Sequence, residues 1–346
     1  MTTLILHTAD PDTMLSHMAF YGLGAILDDA GVEVRLDWTS GARPRPQLHT
    51  NCPDENAAAE IVHAHAQQYA ADGSWVQQDI ELGGTARGLM SPRLSQLRTI
   101  ENWTRLQQAR HTVLDTLTTD RRWLDLQQIA ALGQPAYWRH NIKGEPLQDD
   151  GASRLDMQPR NQGSEIVGTR LRRLADTVAA RKPHQVLDGL RGDTITDEAG
   201  NNKADSRTAT GFAPPGPTDN AIAWCALWGI SQLPTTLRIS TIAITTGHLG
   251  RSRREWFYAP VWHQPWRIAR LRTILASAQL RTAAAAGLPL PNGTINALTT
   301  TAAQAWLSAR HVVGVMRFPI DRFGSDNAPE RRAQRGDPSP TSVPRR

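Results

Sequence analysis

Residues 32–38, Val-Glu-Val-Arg-Leu-Asp-Trp, alternate apolar and polar side chains without a break, the pattern of a strand with one buried face. The segments around it fix its neighbours. A short β-prone run at 3–8 precedes a helix capped at Asp12 or Thr13, which carries Leu15, Met18, Leu23, Ile26 and Leu27 until Gly31. A Gly/Pro turn at 40–46 leads to a third extended piece at 47–52, an Ala-rich helix at 54–71 and a strand-like stretch at 74–82. The order is β-α-β-β-α-β, that of a ferredoxin-like sheet covered on one face by two helices. The expected fold class is therefore α+β: an N-terminal ferredoxin-like βαββαβ module over residues 1–84, a helical insertion, and a C-terminal mixed α/β part.

Helical periodicity from Arg93 onward, with Leu94, Leu97, Ile100, Leu106, Leu114, Leu117 and Ile129, predicts a helical lobe over 85–150 in which Trp103 and Trp123 are core residues. A basic α/β part follows over 151–320. Within it, 193–217 is poor in large apolar residues and rich in Asp, Asn, Thr, Gly and Pro, which predicts a mobile loop. Residues 219–230 are apolar nearly all round and predict a buried helix. A strand at 237–244 should come next, so that helix and strand together resemble residues 18–38 in a degenerate repeat, although chance similarity between two buried helices is the somewhat better account. Helices from 267 and over 294–309 and a strand at 312–318 complete the folded part. From 321 to 346 there is no apolar periodicity and much Arg, Pro, Asp and Ser, the composition of a disordered tail.

Charge is clustered. The chain carries a formal +5, yet residues 151–192 alone hold eight cations against four anions, and residues 251–272 hold six arginines against one glutamate. In the first stretch a polar loop containing Arg160 and Asn161 delivers a helix whose apolar stripe is Val167, Leu171, Leu174 and Val178. Arg170, Arg172, Arg173, Arg181 and Lys182 lie on its other side or flank the seam. In the second, Arg251, Arg253, Arg254, Arg267 and Arg270 are interleaved with aromatics, including Trp262 and Trp266. Both stretches are candidate phosphate-binding faces, and the two tryptophans are candidate platforms for an unpaired base or, equally, core residues. The plain alternative is that these faces are solvated and bind nothing.

Catalytic and metal signatures are absent from the sequence: no phosphate-binding Gly-x-x-x-x-Gly-Lys loop, no Gly-x-Gly-x-x-Gly, no His-Glu-x-x-His, no Cys-x-x-Cys and no Gly-x-Ser-x-Gly. His63 and His65 are two apart on a helix and point away from each other, so they cannot share a metal. Cys52 and Cys225 read as small buried residues in a reducing compartment. No catalytic residue, metal or cofactor is expected. No apolar run approaches a membrane span, and the first residues lack the basic start of a signal peptide, so a cytoplasmic protein is expected.

Four stretches together resemble a known family: residues 18–26 (Met-Ala-Phe-Tyr-Gly-Leu-Gly-Ala-Ile), 157–163 (Met-Gln-Pro-Arg-Asn-Gln-Gly), 219–229 (Asp-Asn-Ala-Ile-Ala-Trp-Cys-Ala-Leu-Trp-Gly) and 253–258 (Arg-Arg-Glu-Trp-Phe-Tyr). They are similar to an accessory subunit of the type I-U (I-G) CRISPR effector complexes. The resemblance implies a role in CRISPR-guided antiviral defence, with other effector subunits and a guide RNA or target DNA as partners, and it supplies no catalytic residue. The expectation is a non-catalytic RNA- and DNA-binding subunit. The alternative is a metal-independent endoribonuclease of the same system working through a histidine among His17, His248 and His263.

Overall fold

The computed structural model describes residues 1–340 except 95–96, 146, 148, 158–164, 207–208, 240, 252–253, 289–295 and 326–327, and side chains throughout that set except at 251, 254, 324–325 and 328–329. Strand β1 (Thr2–Ile5), helix α1 (Met14–Asp29) and strands β2 (Val34–Trp38) and β3 (Pro46–Thr50) build a first unit, with α1 carrying the chain from β1 to β2. The sheet has the order β1-β3-β2 and both pairings are antiparallel. Helix α2 (Glu55–Ala70) starts at Asp54, whose carboxylate accepts from the Ala57 N–H at 2.9 Å. It buries Ala58, Ala59, Val62, Ala66 and Tyr69, one face at helical spacing.

The fourth strand of a ferredoxin-like sheet does not join. Strand β4 (Asp79–Leu82) pairs instead with β5 (Thr85–Gly88) in a separate hairpin. The cause is local: Gly83 and Gly84, at φ 59° and 75°, form a two-residue turn with both central residues left-handed, which matches strand twist and captures β4 at once. The molecule is mixed α+β with small sheets, and a complete four-stranded ferredoxin-like module is not confirmed. Helix α3 (Ile100–Thr119), capped by Thr99, packs on this hairpin through a satellite cluster of Ile80, Leu82, Leu89, Leu94, Leu97 and Leu106. Trp103 stacks on Tyr137 at 5.1 Å. Helix α4 (Trp123–Leu132) joins the main core, but Trp123 itself is exposed, against expectation, because it opens the helix on the outer side.

The basic helix is split. A π-helical turn at Val167–Leu171 leads into α5 (Arg172–Ala179), and Pro183 then opens α6 (Pro183–Arg191), where a residue without an N–H is tolerated. The stretch at 193–217 is exposed at 193–195 and 201–205 and bonds inward at several other points. Asp197 and Phe212 are buried, Asn220 Nδ2 donates to Asp197 at 3.0 Å, and Arg181 pairs with Glu198. Polar residues bonding inward hold an apolar-poor segment at those points.

Helix α7 (Asn220–Trp228) is buried on every side, as its composition required. It crosses α1 at glycine contacts. A Cβ on Gly22 would lie 1.8 Å from the Cys225 carbonyl oxygen, and one on Gly229 would lie 2.1 Å from the Met18 carbonyl oxygen. Only glycine allows the backbones to approach this closely. Beyond α7 the described residues of 237–244 form no continuous strand: β6 (Thr235–Thr236) and β7 (Ile244–Thr245) pair at its ends, so the helix-strand repeat is not formed among them.

A second sheet closes the molecule. Strands β8 (His248–Arg251) and β9 (Arg254–Trp262) form a hairpin; α8 (Ile268–Leu275), α9 (Ala278–Ala285) and α10 (Ala297–Ser308) follow; then β10 (Val312–Ser325), β11 (Ala328–Ala333) and β12 (Asp337–Pro338) complete the order β11-β10-β9-β8, with β12 on β10. Residues 321–340 are thus part of the sheet where described, not a disordered tail; 341–346 lie outside the described residues. Paired strands need little apolar periodicity when their side chains meet charged partners, and Arg331 is one such side chain. The two sheets are tied by a bridge between Leu36 and Trp266, with Trp262 Nε1 donating to the Leu36 carbonyl at 2.7 Å.

Candidate anion-binding site

Four arginines from four separate segments meet three carboxylates below the β8–β9 hairpin. Arg93 contacts Asp149 at 2.8 Å and Asp156 at 2.6 Å, and Arg170 pairs with Asp156. Arg154 reaches Asp149 at 2.8 Å, and Arg331 bridges Asp149 and Glu255, the latter at 3.5 Å. All four guanidinium groups are buried. The nearest further anion, Glu165, is engaged with the Gly88 N–H at 2.8 Å. Burial disfavours ionisation of Asp149, yet Arg93, Arg331 and Arg154 hold its carboxyl well below the ordinary carboxylate range. For Glu255 burial likewise opposes ionisation, and His248 together with the arginines overcomes it, bringing the carboxyl down to about 2.

One side of this network opens into a pocket of about 250 Å³ lined by Arg154, Arg238, Thr245, His248, Glu255 and Arg281 among others. Strand register explains how His248 and Glu255 come together. Glu255 lies directly opposite Gly250, and His248, two residues along β8, projects from the same face on the diagonal. With no side chain on Gly250, the carboxylate reaches His248 at 3.6 Å. Burial lowers the His248 pKa, with Glu255 opposing, so the ring is neutral near pH 7. Arg154 forms the floor: it is 3% exposed, its N–H is fixed by the Thr245 hydroxyl at 2.8 Å, and its Nε has no hydrogen-bond partner among the described residues. Nε and Nη1 of Arg331 are in the same condition behind it. Arg238 and Arg281 stand at the exposed rim, and neither has a carboxylate partner among the described residues. Arg281 lies by the buried Tyr258 hydroxyl. The lining thus presents three guanidiniums against one carboxylate, and that carboxylate is already shared with Arg331 and His248.

The arginines expected from sequence fall into three groups. Arg170 and Arg181 are buried ion-pair partners, Arg181 of Asp219 at 2.9 Å and of Glu198, so neither is available to a phosphate. Arg172 is half-buried and bonds Asp79 at 2.7 Å, and Arg267 pairs with Glu33 at 2.9 Å on the surface. Arg173 and Lys182 are exposed, as is Arg270, whose guanidinium sits 5.0 Å from the Trp266 ring. Arg160, Asn161 and Arg253 lie outside the described residues, and the side chains of Arg251 and Arg254 do too. The backbones of those two pair directly beyond Gly250 and Glu255, so the second basic stretch borders the pocket. Trp262 and Trp266 are fully buried and stack on each other at 4.5 Å; their ring faces are occupied and they offer no platform to a base.

Of the three histidines, His17 is locked in the core against Trp38 and bonded to the Pro11 carbonyl, with burial lowering its pKa to about 4. His263 faces the Trp38 carbonyl and a different, larger cavity. His248 is the one that meets arginines. Sequence reasoning missed Arg93, Arg238, Arg281, Arg331 and Glu255; the period-2 alternation of Glu255 with the buried Phe257 and Ala259 was the available hint for the last. Among the described residues no group of three His, Cys, Asp or Glu is placed to hold a metal ion, and no helix is long and apolar enough to cross a membrane. No protein-family model and no curated protein matches the sequence.

Proposed function

We propose that this protein is a non-catalytic subunit of a CRISPR-guided antiviral complex and holds guide RNA or target DNA by its phosphates in the cytoplasm, beside other effector subunits. The observation that carries the phosphate contact is the pocket floored by buried Arg154 and rimmed by Arg238 and Arg281, two cations without carboxylate partners among the described residues. Guanidinium groups suit phosphate oxygens because they donate in a planar fork. Exposed Arg173, Lys182 and Arg270 add weaker, screened attraction. The β1-β3-β2 sheet with α1 is read as the nucleus of a ferredoxin-like module, three strands of its order being present. The association with CRISPR complexes rests on the four resembling stretches.

The test is a filter-binding series with repeat RNA, single-stranded DNA and duplex DNA. Affinity should fall steeply between about 50 and 200 mM salt, and Arg238→Ala and Arg281→Ala should each flatten that slope by about one contact. Salt-insensitive binding, or none at low salt, overturns the reading.

The same wall favours one second reading. Neutral His248, 3.6 Å from Glu255 and beside arginines, has the makings of a base for the ribose 2′-hydroxyl in a metal-independent ribonuclease. RNA cleavage that persists in EDTA and vanishes in His248→Ala would establish it; intact RNA after prolonged incubation leaves the binding subunit.

A further inference from the structure

We infer that the pocket receives the phosphorylated end of a nucleic-acid strand, a phosphate monoester, and not the continuous backbone. The inference deepens the proposed phosphate contact and rests on that reading. Three observations converge on it. The first is size. At about 250 Å³ the pocket is smaller than the roughly 300–1,000 Å³ typical of small-molecule sites. It has room for a phosphoryl group and part of its sugar, while a strand passing through needs an entrance and an exit.

The second is charge. An internal diester carries one negative charge, whereas a terminal monoester carries about 1.5 to 2 near pH 7. The lining holds Arg154, Arg238 and Arg281 against Glu255. Glu255 is engaged with Arg331 and His248, and Arg154 already shares one edge with Asp149. The cations without a carboxylate partner among the described residues are the two rim arginines, Arg281 reaching only the Tyr258 hydroxyl, a match for a dianion.

The third is depth. Arg154 is almost wholly buried at the floor, and its Nε has no partner among the described residues. A buried guanidinium N–H without a partner is costly. A chain end can reach it, whereas a diester, flanked by sugars on both sides, is held at the rim. Arg238 and Arg281 then close over the oxygens that remain.

The experiment measures fluorescence anisotropy of one RNA sequence in four forms: 5′-phosphate, 3′-phosphate, both ends hydroxyl, and circularised. The intact full-length protein is compared with Arg238→Gln and Arg281→Gln, both at exposed positions, with the Tm of each checked because Arg281 also meets the buried Tyr258 hydroxyl. One phosphorylated end should bind about tenfold or more tightly than the hydroxyl-ended strand, and which one identifies the strand polarity. The preference should grow from pH 5 to 7.5 as the phosphate loses its second proton, whose pKa is about 6. Each variant should lose most of the preference for the phosphorylated end, whereas on circular RNA it should lose only about one salt-dependent contact. Equal affinity for circular, hydroxyl-ended and phosphorylated RNA overturns the inference and leaves nucleic-acid binding standing. No binding of any form overturns the underlying reading. In that case inorganic phosphate still tests the pocket: a rise in Tm that Arg281→Gln abolishes supports a monoester site, and no rise removes it.

Discussion

Replacing Gly22 by alanine tests the closest contact in the fold. The added methyl would sit 1.8 Å from the Cys225 carbonyl oxygen and 2.6 Å from the Gly229 nitrogen, whereas ordinary contact begins near 3.4 Å. Both obstacles are backbone, so no rotamer change relieves them, and α1 and α7 must part by roughly 1.5 Å. That movement loosens Phe20, Trp224 and Trp228, all fully buried. Overpacking costs about 1–3 kcal/mol where side chains can yield; with backbone on both sides the expected loss is about 3–4 kcal/mol, a large share of a stability of about 5–15 kcal/mol. Urea denaturation followed by tryptophan fluorescence reads it as a lower midpoint at unchanged slope. Gly229→Ala strikes the same crossing from the other side, 2.1 Å from the Met18 carbonyl oxygen. One separation of the helices relieves both, so the double variant should lose clearly less than the sum of the two. Gly73→Ala, with open space around it, is the control and should stay within about 0.5 kcal/mol. A Gly22→Ala midpoint equal to that of the parent, or strict additivity in the double variant, would refute the reasoning.

The buried ion pairs make further demands. A Glu255 carboxyl held at about 2, against an ordinary 4.5, contributes about 3 kcal/mol that is fully present above pH 4.5 and disappears as pH falls toward 2. Glu255→Gln should therefore be less stable than the parent at pH 7 and converge with it in acid, as followed by circular dichroism across that window. Arg181→Ala leaves Asp219 and Glu198 without their cation and should cost about 3–5 kcal/mol; limited proteolysis should then cut within 193–217 first. Truncation after residue 320 removes Arg331 from between Asp149 and Glu255, and the shortened chain should lose its cooperative transition and bind a hydrophobic dye.

Much of the fold was legible where pattern and burial coincide. The alternation at 32–38 becomes β2, and the all-apolar stretch after Thr218 becomes the buried α7, because both express local periodicity directly. The fourth strand was lost to the Gly83-Gly84 turn, whose hairpin preference outranked the longer-range pairing that the element order implied. The site was far less legible. A count of charges cannot distinguish Arg170, buried against Asp156, from Arg173, exposed on the next turn. The partners that separate them are far away in sequence: Asp149 and Arg331 are 182 residues apart. Trp262 and Trp266 looked interleaved with arginine along the chain, yet the bend between them folds one ring onto the other.

Arg331 comes from β11, the last strand but one, and it contacts an aspartate near the middle of the chain. During synthesis the β1-β3-β2 sheet can pair early, whereas α1 and α2 wait for α7, α5 and α6 to cover them. Asp149 can pair with Arg93 and Arg154 before the chain is complete, but its third guanidinium waits for β11. The network behind the pocket is therefore completed late. A polypeptide that stops before β11 carries every helix among the described residues and lacks the guanidinium that joins Asp149 to Glu255, so the ion-pair network stays open on that side.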